Sequence, residues 1–273
     1  MVQLQRTPIR YRVSDGVTLL HHITQANAPL SYIETQVYEL AAGASIQLQL
    51  TTHELCIVAL TGKYSISDGE QRFEHVGTRD SVFEKVPTDS VYVPAGKQVS
   101  ICCEKAGKVV LAYAPTEETG RQTTLIPASS NSTESRGKYN NQRLVHNILD
   151  DQSKIADKLL VVEVYTETAN WSSYPPHKHD QDNLPEESFL EETYYHEINP
   201  RQGYIMQRVY TDDRLLDESM SVHNEDIVIV PKGYHPVGVP DGYESYYLNI
   251  MAGPTKVWKF NNDKDHEWIL KRP

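Results

Sequence analysis

The residues best suited to chemistry lie between Trp171 and His196, in the stretch WSSYPPHKHDQDNLPEESFLEETYYH. It holds a His-x-His pair, His177 and His179, and then a carboxylate, Glu192, at the head of a tyrosine-rich run. Alternate residues of a strand face the same side, so the two imidazoles project together and a carboxylate from the next strand can meet them. Downstream, Pro231-Lys232-Gly233-Tyr234-His235-Pro236 ends one strand in a tight turn and opens the next with a histidine. His177, His179, Glu192 and His235 are thus a candidate set of three histidines and one carboxylate. Neutral imidazole with carboxylate suits Zn²⁺, Mn²⁺, Fe²⁺ or Ni²⁺, with Zn²⁺ or Mn²⁺ favoured, and the donor types alone do not choose among them.

Strand alternation separates Glu192 from Glu191. Glu192, Tyr194 and His196 share one face, and Glu191, Thr193 and Tyr195 share the other. His196 therefore stands on the ligand side, as a fifth ligand, a general base, a hydrogen-bond partner of the ligands or a plain core histidine. Lys178, between the two histidines, points away from the metal and reads as a solvated or interface lysine.

The elements that must position these groups are strands. Ile46, Leu48 and Leu50 alternate with Gln47 and Gln49, and Glu54 to Leu60 is a second apolar run. Ser67-Asp68-Gly69-Glu70 is a hairpin-type turn, and further strands are expected at 91–93, 99–103, 109–113, 159–165, 204–211, 226–230 and 245–251. Short strands at this spacing, with almost no helical periodicity, predict an all-β sandwich or jelly roll. Residues 1–35 read as an arm with one or two short strands, and the tail carrying Trp258 and Trp268 is expected to pack back on the body.

The two halves rhyme. Val91-Tyr92-Val93-Pro94-Ala95-Gly96-Lys97-Gln98 matches Val228-Ile229-Val230-Pro231-Lys232-Gly233-Tyr234-His235, which sets Gln98 where His235 stands. At nearly the same offset Glu54 opens an apolar strand as Glu192 does. A duplicated β unit follows, and the first copy, having no His-x-His, is the structural half. The expected organisation is an N-terminal domain over 1–120 without a metal site, a polar, turn-rich linker over 121–145, and a C-terminal metal-binding domain over 146–273.

Bulk properties narrow the partners. With 273 residues the chain can bury a sizeable core. Its net charge of −11 leaves no basic stripe for nucleic acid. No apolar run approaches bilayer-spanning length, and the N-terminus has no apolar signal region. Three cysteines, two of them adjacent, make a poor disulfide framework. The expectation is a cytoplasmic protein with no membrane or nucleic-acid partner. The exposed sheet edges of such a fold favour self-association into a homo-oligomer.

The order H-x-H, then E, then H after a P-x-G turn resembles the cupin superfamily, which implies two tandem jelly-roll domains. Two departures stand out: twelve residues separate His179 from Glu192, so Asp180 to Leu190 reads as an inserted loop, and Tyr234 alone separates Gly233 from His235. The strings NWSSYPPHKHD, LEETYYH, QRVYTDD, VPKGYHPV and YYLNIMAGP resemble the 5-deoxy-glucuronate isomerase family of myo-inositol catabolism. The first half agrees in Arg79-Asp80-Ser81-Val82-Phe83-Glu84, Tyr92-Val93-Pro94-Ala95-Gly96 and Arg136-Gly137 ahead of Arg143. The related 4-deoxy-5-hexosulose-uronate ketol-isomerase family of pectin breakdown shares the metal motif, but the long PPHKHD…LEETYY spacing favours the inositol family. Glu167-Thr168-Ala169 departs from the family's turn before Asn170.

This resemblance implies an aldose–ketose isomerisation of 5-deoxy-D-glucuronate to 5-dehydro-2-deoxy-D-gluconate, with a divalent metal as Lewis acid at the reacting oxygens. A proton route needs a base near C2; His196 and Glu191 are the candidates, and a hydride shift stays open. The substrate carboxylate calls for an arginine. Arg208, on the strand after Glu192, is the first candidate, with Arg143 and Lys232 behind it and Tyr247 as a further contact. The rival readings are the pectin-pathway ketol-isomerase, an iron-dependent cupin dioxygenase and a non-catalytic sugar-binding or structural β protein.

Overall fold

The computed structural model describes residues 3–272. Among them there are only β-strands and three short 3₁₀ turns, as the period-two patterning predicts. The chain divides into two compact units. One comprises Pro8–Ser132 with Asn147–Val161; the other comprises the stretch ending at Thr7, Thr133–His146, and the chain from Val162 onward.

The first, N-terminal unit is two antiparallel sheets. Seven strands run in the order Thr124–Ile126, Ser90–Val93, His53–Val58, Gly107–Pro115, Glu34–Leu40, Val17–Ile23, Tyr11–Ser14. Four more run Ser45–Gln49, Gln98–Lys105, Lys63–Ser67, Arg72–Val76. Their facing side chains close an apolar core that includes Leu55, Ile57, Tyr64, Ile66, Val93, Val99 and Ile101. Burying such side chains is worth about 1.5–3 kcal/mol each.

The C-terminal unit repeats the plan. Its seven-stranded sheet has the order Gln5–Arg6, Ile227–Val230, Glu191–Asn199, Glu244–Ala252, Leu160–Thr166, Arg143–Leu149, Ser132–Arg136. Its four-stranded sheet has the order Trp171–Ser172, Val237–Gly238, Tyr204–Tyr210, Asp217–His223. The strand Asp217–His223 was absent from the sequence expectation; its residues DESMSVH offer only Met220 and Val222 to the interior.

Three segments differ from expectation. Residues 121–145 carry the strands Thr124–Ile126 and Ser132–Arg136 and the start of Arg143–Leu149, so their polarity marks edge strands and turns. The insertion 180–190 is a small hairpin, Asp180–Asn183 paired with Glu187–Phe189. The tail packs back through Asn261–Asn262, which pairs with His177–Lys178, whereas Trp268 is exposed.

Candidate active site

Three elements bring the histidines together. His177 and Lys178 form a two-residue strand held by Asn261–Asn262, and His179 follows where the chain enters the 180–190 hairpin. Glu192 lies on the long strand Glu191–Asn199, with Val230 on one side and Met251 on the other. His235 follows the turn at Gly233, whose φ is +90°. A Cβ there would lie 2.4 Å from the Tyr210 carbonyl oxygen, so the turn needs glycine on both counts. Asp180 ties the two histidine segments together, since it accepts from the Gly233 N–H (3.0 Å) and from Lys178 Nζ (2.6 Å).

One ring nitrogen from each of His177, His179 and His235 falls in a group whose members all lie within 4.8 Å of one another. Glu192 Oε1 contacts His179 Nε2 and lies 3.6 Å from His235 Nε2. The other ring nitrogens are held: His179 Nδ1 is 3.0 Å from the Leu190 carbonyl and His235 Nδ1 is 2.9 Å from the Gly233 carbonyl. A carbonyl only accepts, so each Nδ1 carries a proton; the Nε2 of His235 then turns inward as a lone pair, while the Nε2 of His179 shares a proton with Glu192 or gives it up to a cation. Glu192 is fixed too, with Asn249 Nδ2 donating to Oε2 at 2.7 Å and the Tyr194 hydroxyl bonding its carboxylate. Inward-facing lone pairs and a carboxylate oxygen, all buried except the half-buried His177, are a donor set for a divalent cation.

The electrostatics fit an ionised Glu192 carboxylate beside neutral His177 and His235 rings, with His179 pulled the other way. Burial works against the Glu192 charge, but the His235 and His179 rings outweigh it and hold the carboxyl well below its usual range. Burial, then the neighbouring His235 and His179, push His177 far down. Burial also lowers His235 against the opposing pull of Glu192. For His179 burial lowers the ring, yet the adjacent Glu192 carboxylate lifts it above its ordinary value.

Beside His177 is a small cavity of about 40 Å³, lined by His177, Tyr194, Tyr247, Asn249, Ser173, Arg136, Arg143 and Trp258 together with Val145, Val162 and Val164. Tyr194 and Tyr247 hydroxyls each lie 3.5 Å from Ser173 Oγ. Arg143 is the notable wall residue. Its Nη1 donates to the Asn141 carbonyl and Oδ1, both at 2.9 Å, and among the described residues its Nε and Nη2 meet no acceptor and no carboxylate. Burial lowers its pKa, and Arg136 adds to that. Arg136 is already paired bidentately with Glu134, at 2.9 and 2.8 Å.

Other expected residues fall elsewhere. Arg208 is not in this cavity: it is half-exposed, bidentate to Asp217 at 2.7 Å on both bonds, and lies over the Tyr210 ring. Its neighbour Gln207 takes the inward position. Lys232 is exposed. His196 is fully buried and 3.0 Å from Gln207 Oε1; four residues from Glu192 on one strand, it sits ~13 Å further along and does not line the cavity. Glu191 is buried on the opposite face of its strand from Glu192. Lys178, expected as a solvated or interface lysine, is buried among Asp180, Glu187 (3.3 Å) and Asp212 (3.5 Å). Asn249, Ser173 and Trp258 were not singled out as site residues; only Asn249 had a signal, its strand phase with Tyr247.

Two tandem antiparallel β-sandwiches, one with a buried cluster of histidines and a carboxylate, define a bicupin. Its architecture is shared with a Lactobacillus farciminis oxalate decarboxylase in a formate complex, at 12% identity, TM-score 0.67, and coverage of 100% of this chain and 91% of that one, a likeness of fold alone. The chain belongs to the KduI/IolB family, whose model matches residues 8–269. A Bacillus licheniformis protein named 5-deoxy-glucuronate isomerase is 60% identical over 272 residues, covering all of both chains. An IolB-like protein from Salmonella typhimurium has been solved and superposes with a TM-score of 0.93 at 44% identity, covering 98% of this chain and 99% of that one. Among the described residues no helix is long and apolar enough to cross a membrane.

Proposed function

We propose that the protein is a 5-deoxy-glucuronate isomerase, an aldose–ketose isomerase that forms 5-dehydro-2-deoxy-D-gluconate at a metal centre in its C-terminal unit. The observation that carries this reading is one cavity with two kinds of wall. One is His177, the member of the histidine cluster that lines it; the other is the half-buried Arg143 guanidinium, whose Nε–Nη2 edge has no partner among the described residues. A sugar acid carries the matching groups: vicinal oxygens at its reducing end and a carboxylate at the other.

His177, His179, Glu192 and His235 would hold one divalent ion, Zn²⁺ or Mn²⁺ before Fe²⁺ or Ni²⁺. Bound there, the ion would supply Lewis-acid polarisation of the substrate oxygens. Asn249 and Tyr194 keep Glu192 oriented, and the backbone carbonyls of Leu190 and Gly233 keep two imidazoles in the ligating tautomer. Arg143 takes the substrate carboxylate, in place of Arg208, because only Arg143 faces the cavity with a free fork. Tyr247 and Ser173 present hydroxyls to the sugar. His196 and Glu191 were the bases suggested by sequence; neither reaches the cavity, so the proton route falls to the hydroxyl groups and water within it, or the hydrogen moves as hydride. The N-terminal unit serves as a metal-free scaffold. A cytoplasmic homo-oligomer, with no nucleic-acid or membrane partner, suits a catabolic enzyme of this acidity.

The test is NMR of 5-deoxy-glucuronate with zinc- or manganese-loaded enzyme in D₂O under anaerobic conditions. The expected result is the 2-deoxy-5-keto acid, lost on chelation and regained on adding metal. Deuterium at the C6 hydroxymethyl of the product, the carbon that was C1 of the substrate, supports proton transfer with solvent exchange. No product, or product only with oxygen, overturns the reading in favour of a binding protein or a dioxygenase, and preference for 4-deoxy-5-hexosulose-uronate overturns it in favour of the pectin-pathway reaction.

A further inference from the structure

We infer that Lys178 is a positioning residue of the metal centre: its buried ammonium holds the Asp180 carboxylate, which joins the segment of His177 and His179 to the turn of His235. The inference rests on the reading of these histidines as metal ligands. Lys178 stands between two of them, and strand alternation turns its side chain away from the ligand side. It can therefore act on the ligands only through what it holds on the far side.

A buried lysine needs partners, and this one has three carboxylates. Nζ donates to Asp180 Oδ1 at 2.6 Å and to Glu187 Oε1 at 3.3 Å, and lies 3.5 Å from Asp212 Oδ2. Each carboxylate has a second hold near a ligand. Asp180 Oδ2 accepts from the Gly233 N–H at 3.0 Å, two residues before His235. Asp212 Oδ1 accepts from the Tyr234 hydroxyl at 2.8 Å, one residue before it. Glu187 Oε1 accepts from the Asp180 N–H at 2.7 Å, and its Oε2 accepts from Asn261 Nδ2 at 2.7 Å, on the strand that pairs with His177–Lys178. One ammonium thus sits where the His177–His179 segment, the His235 turn and the tail strand meet, and Asp180 is the link it holds most closely.

The charges show why a cation is needed there. Without it, the Asp180 and Glu187 carboxylates, both largely out of water, would face each other as like charges, and a buried charge that has lost its partner is strongly destabilising. Asp180 then turns to water and releases the Gly233 N–H, and the turn carrying His235 loses its tie to His179. Coulomb's law alone gives the opposite sign: deleting a positive charge near a cation site tightens cation binding. A fall in metal affinity on deleting Lys178 is therefore a signature of geometry.

The experiment is zinc titration of the metal-free protein against a competing chelator. K178M should raise the zinc Kd about 10- to 100-fold, the usual cost of losing a partner that orients ligands, and K178R, which keeps the cation, should recover most of the loss. K232M deletes the same charge from an exposed residue of the His235 turn, where solvent screens it, and should leave Kd within about threefold. The double variant K178M/D180A should bind zinc as D180A does, because Lys178 works through Asp180. D180A leaves Lys178 with Glu187 and Asp212, so this comparison serves even where K178M alone does not fold. Cobalt-loaded protein reports the geometry: the visible absorption of K178M and D180A should shift in the same direction from wild type, and that of K232M should not. Zinc binding by K178M as tight as wild type or tighter, a double variant much weaker than D180A, or an unshifted cobalt spectrum overturns the assignment. A wild type that binds no zinc refutes the metal centre itself. A wild type that binds zinc but does not isomerise 5-deoxy-glucuronate refutes only the isomerase reading, and Lys178 is then judged by the titrations.

Discussion

Gly137 carries no functional atom, yet G137A is expected to disable substrate binding. Its φ is +91°, a region that costs a side-chain-bearing residue roughly 1–2 kcal/mol. A Cβ built there lies 1.6 Å from the Asn141 carbonyl oxygen and 2.9 Å from Arg143 Nη1. That carbonyl and the Asn141 side chain are the two acceptors that hold Arg143. Relieving a 1.6 Å approach requires the turn 137–141 to move by more than an ångström, and Arg143 moves with its anchors. Misplacement on that scale can cost about 10²-fold. The group displaced meets the end of the substrate remote from the reacting carbons, so the loss should fall on KM. The rest of the turn, Lys138 to Asn140, is exposed, which limits the thermal cost to roughly 3–8 °C for a chain of this size. The assay is steady-state kinetics on 5-deoxy-glucuronate beside a melting curve and metal analysis. Unchanged kcat/KM would refute the reasoning, and so would a loss matched by loss of metal, which would place the damage in the barrel and not in the Arg143 anchor.

Three further outcomes follow. R143M should raise KM about 10²-fold or more, the scale of a truncated buried charge pair, whereas R208A, whose partner is Asp217, should leave kinetics within about twofold and cost at most ~1 kcal/mol; equal kinetic effects of the two variants would reverse the assignment. N249A removes the 2.7 Å bond that orients Glu192 and should weaken metal affinity about 10- to 100-fold, measurable by competition with a chelator. His196 makes stability acid-sensitive: burial pushes its ring down to about 4, against an ordinary value near 6.5. Between those values the unfolded chain binds the extra proton, so stability is present above pH ~6.5 and about 3 kcal/mol is lost as pH falls to ~4. Urea midpoints of wild type and H196N at matched metal loading should diverge in slope over that window, and parallel curves would count against a neutral His196.

How far the site could be read from the sequence depended on whether a regular element carried the residue. His177, His179, Glu192 and His235 were legible because strand alternation and a Pro-x-Gly turn set direction as well as position. The outward placement of Arg208 was legible by the same rule: Ile205, Gln207 and Val209 are the buried residues of their strand, which sends Arg208 away from the cavity beside His177. Arg143 was named but ranked second, because its orientation depends on Gly137 and Asn141 in an irregular turn. Trp258 and Ser173 lie in segments with no period, and nothing local told them from surface residues. Lys178, read as a solvated or interface lysine, is instead buried in an ion-pair cluster; its partners Asp180 and Glu187 meet it because the inserted loop folds into a hairpin.

The two units repeat one strand plan, but the expected register needs correcting by one residue at the acidic position. Val93 and Val230 occupy matching places ahead of their Pro-x-Gly turns; Val93 pairs with Leu55, and Val230 pairs with Glu192. The N-terminal counterpart of the ligand Glu192 is therefore Leu55, and Glu54 corresponds to Glu191. Leu55 is fully buried in an apolar core, where a carboxylate without imidazoles or a cation would cost several kcal/mol. Glu54, on the other face, accepts three backbone N–H groups, from Asp157, Lys158 and Leu159 at 2.7–2.8 Å, and the Tyr92 hydroxyl at 2.9 Å. The acidic residue shared by both copies thus does structural work in the N-terminal one, organising backbone on the face away from the barrel interior. That position argues against Glu191 as the base of the reaction. In the C-terminal unit the matching face carries Glu192, Tyr194 and His196 opposite Met251, Asn249 and Tyr247, and His177, His179 and His235 reach Glu192 from other segments.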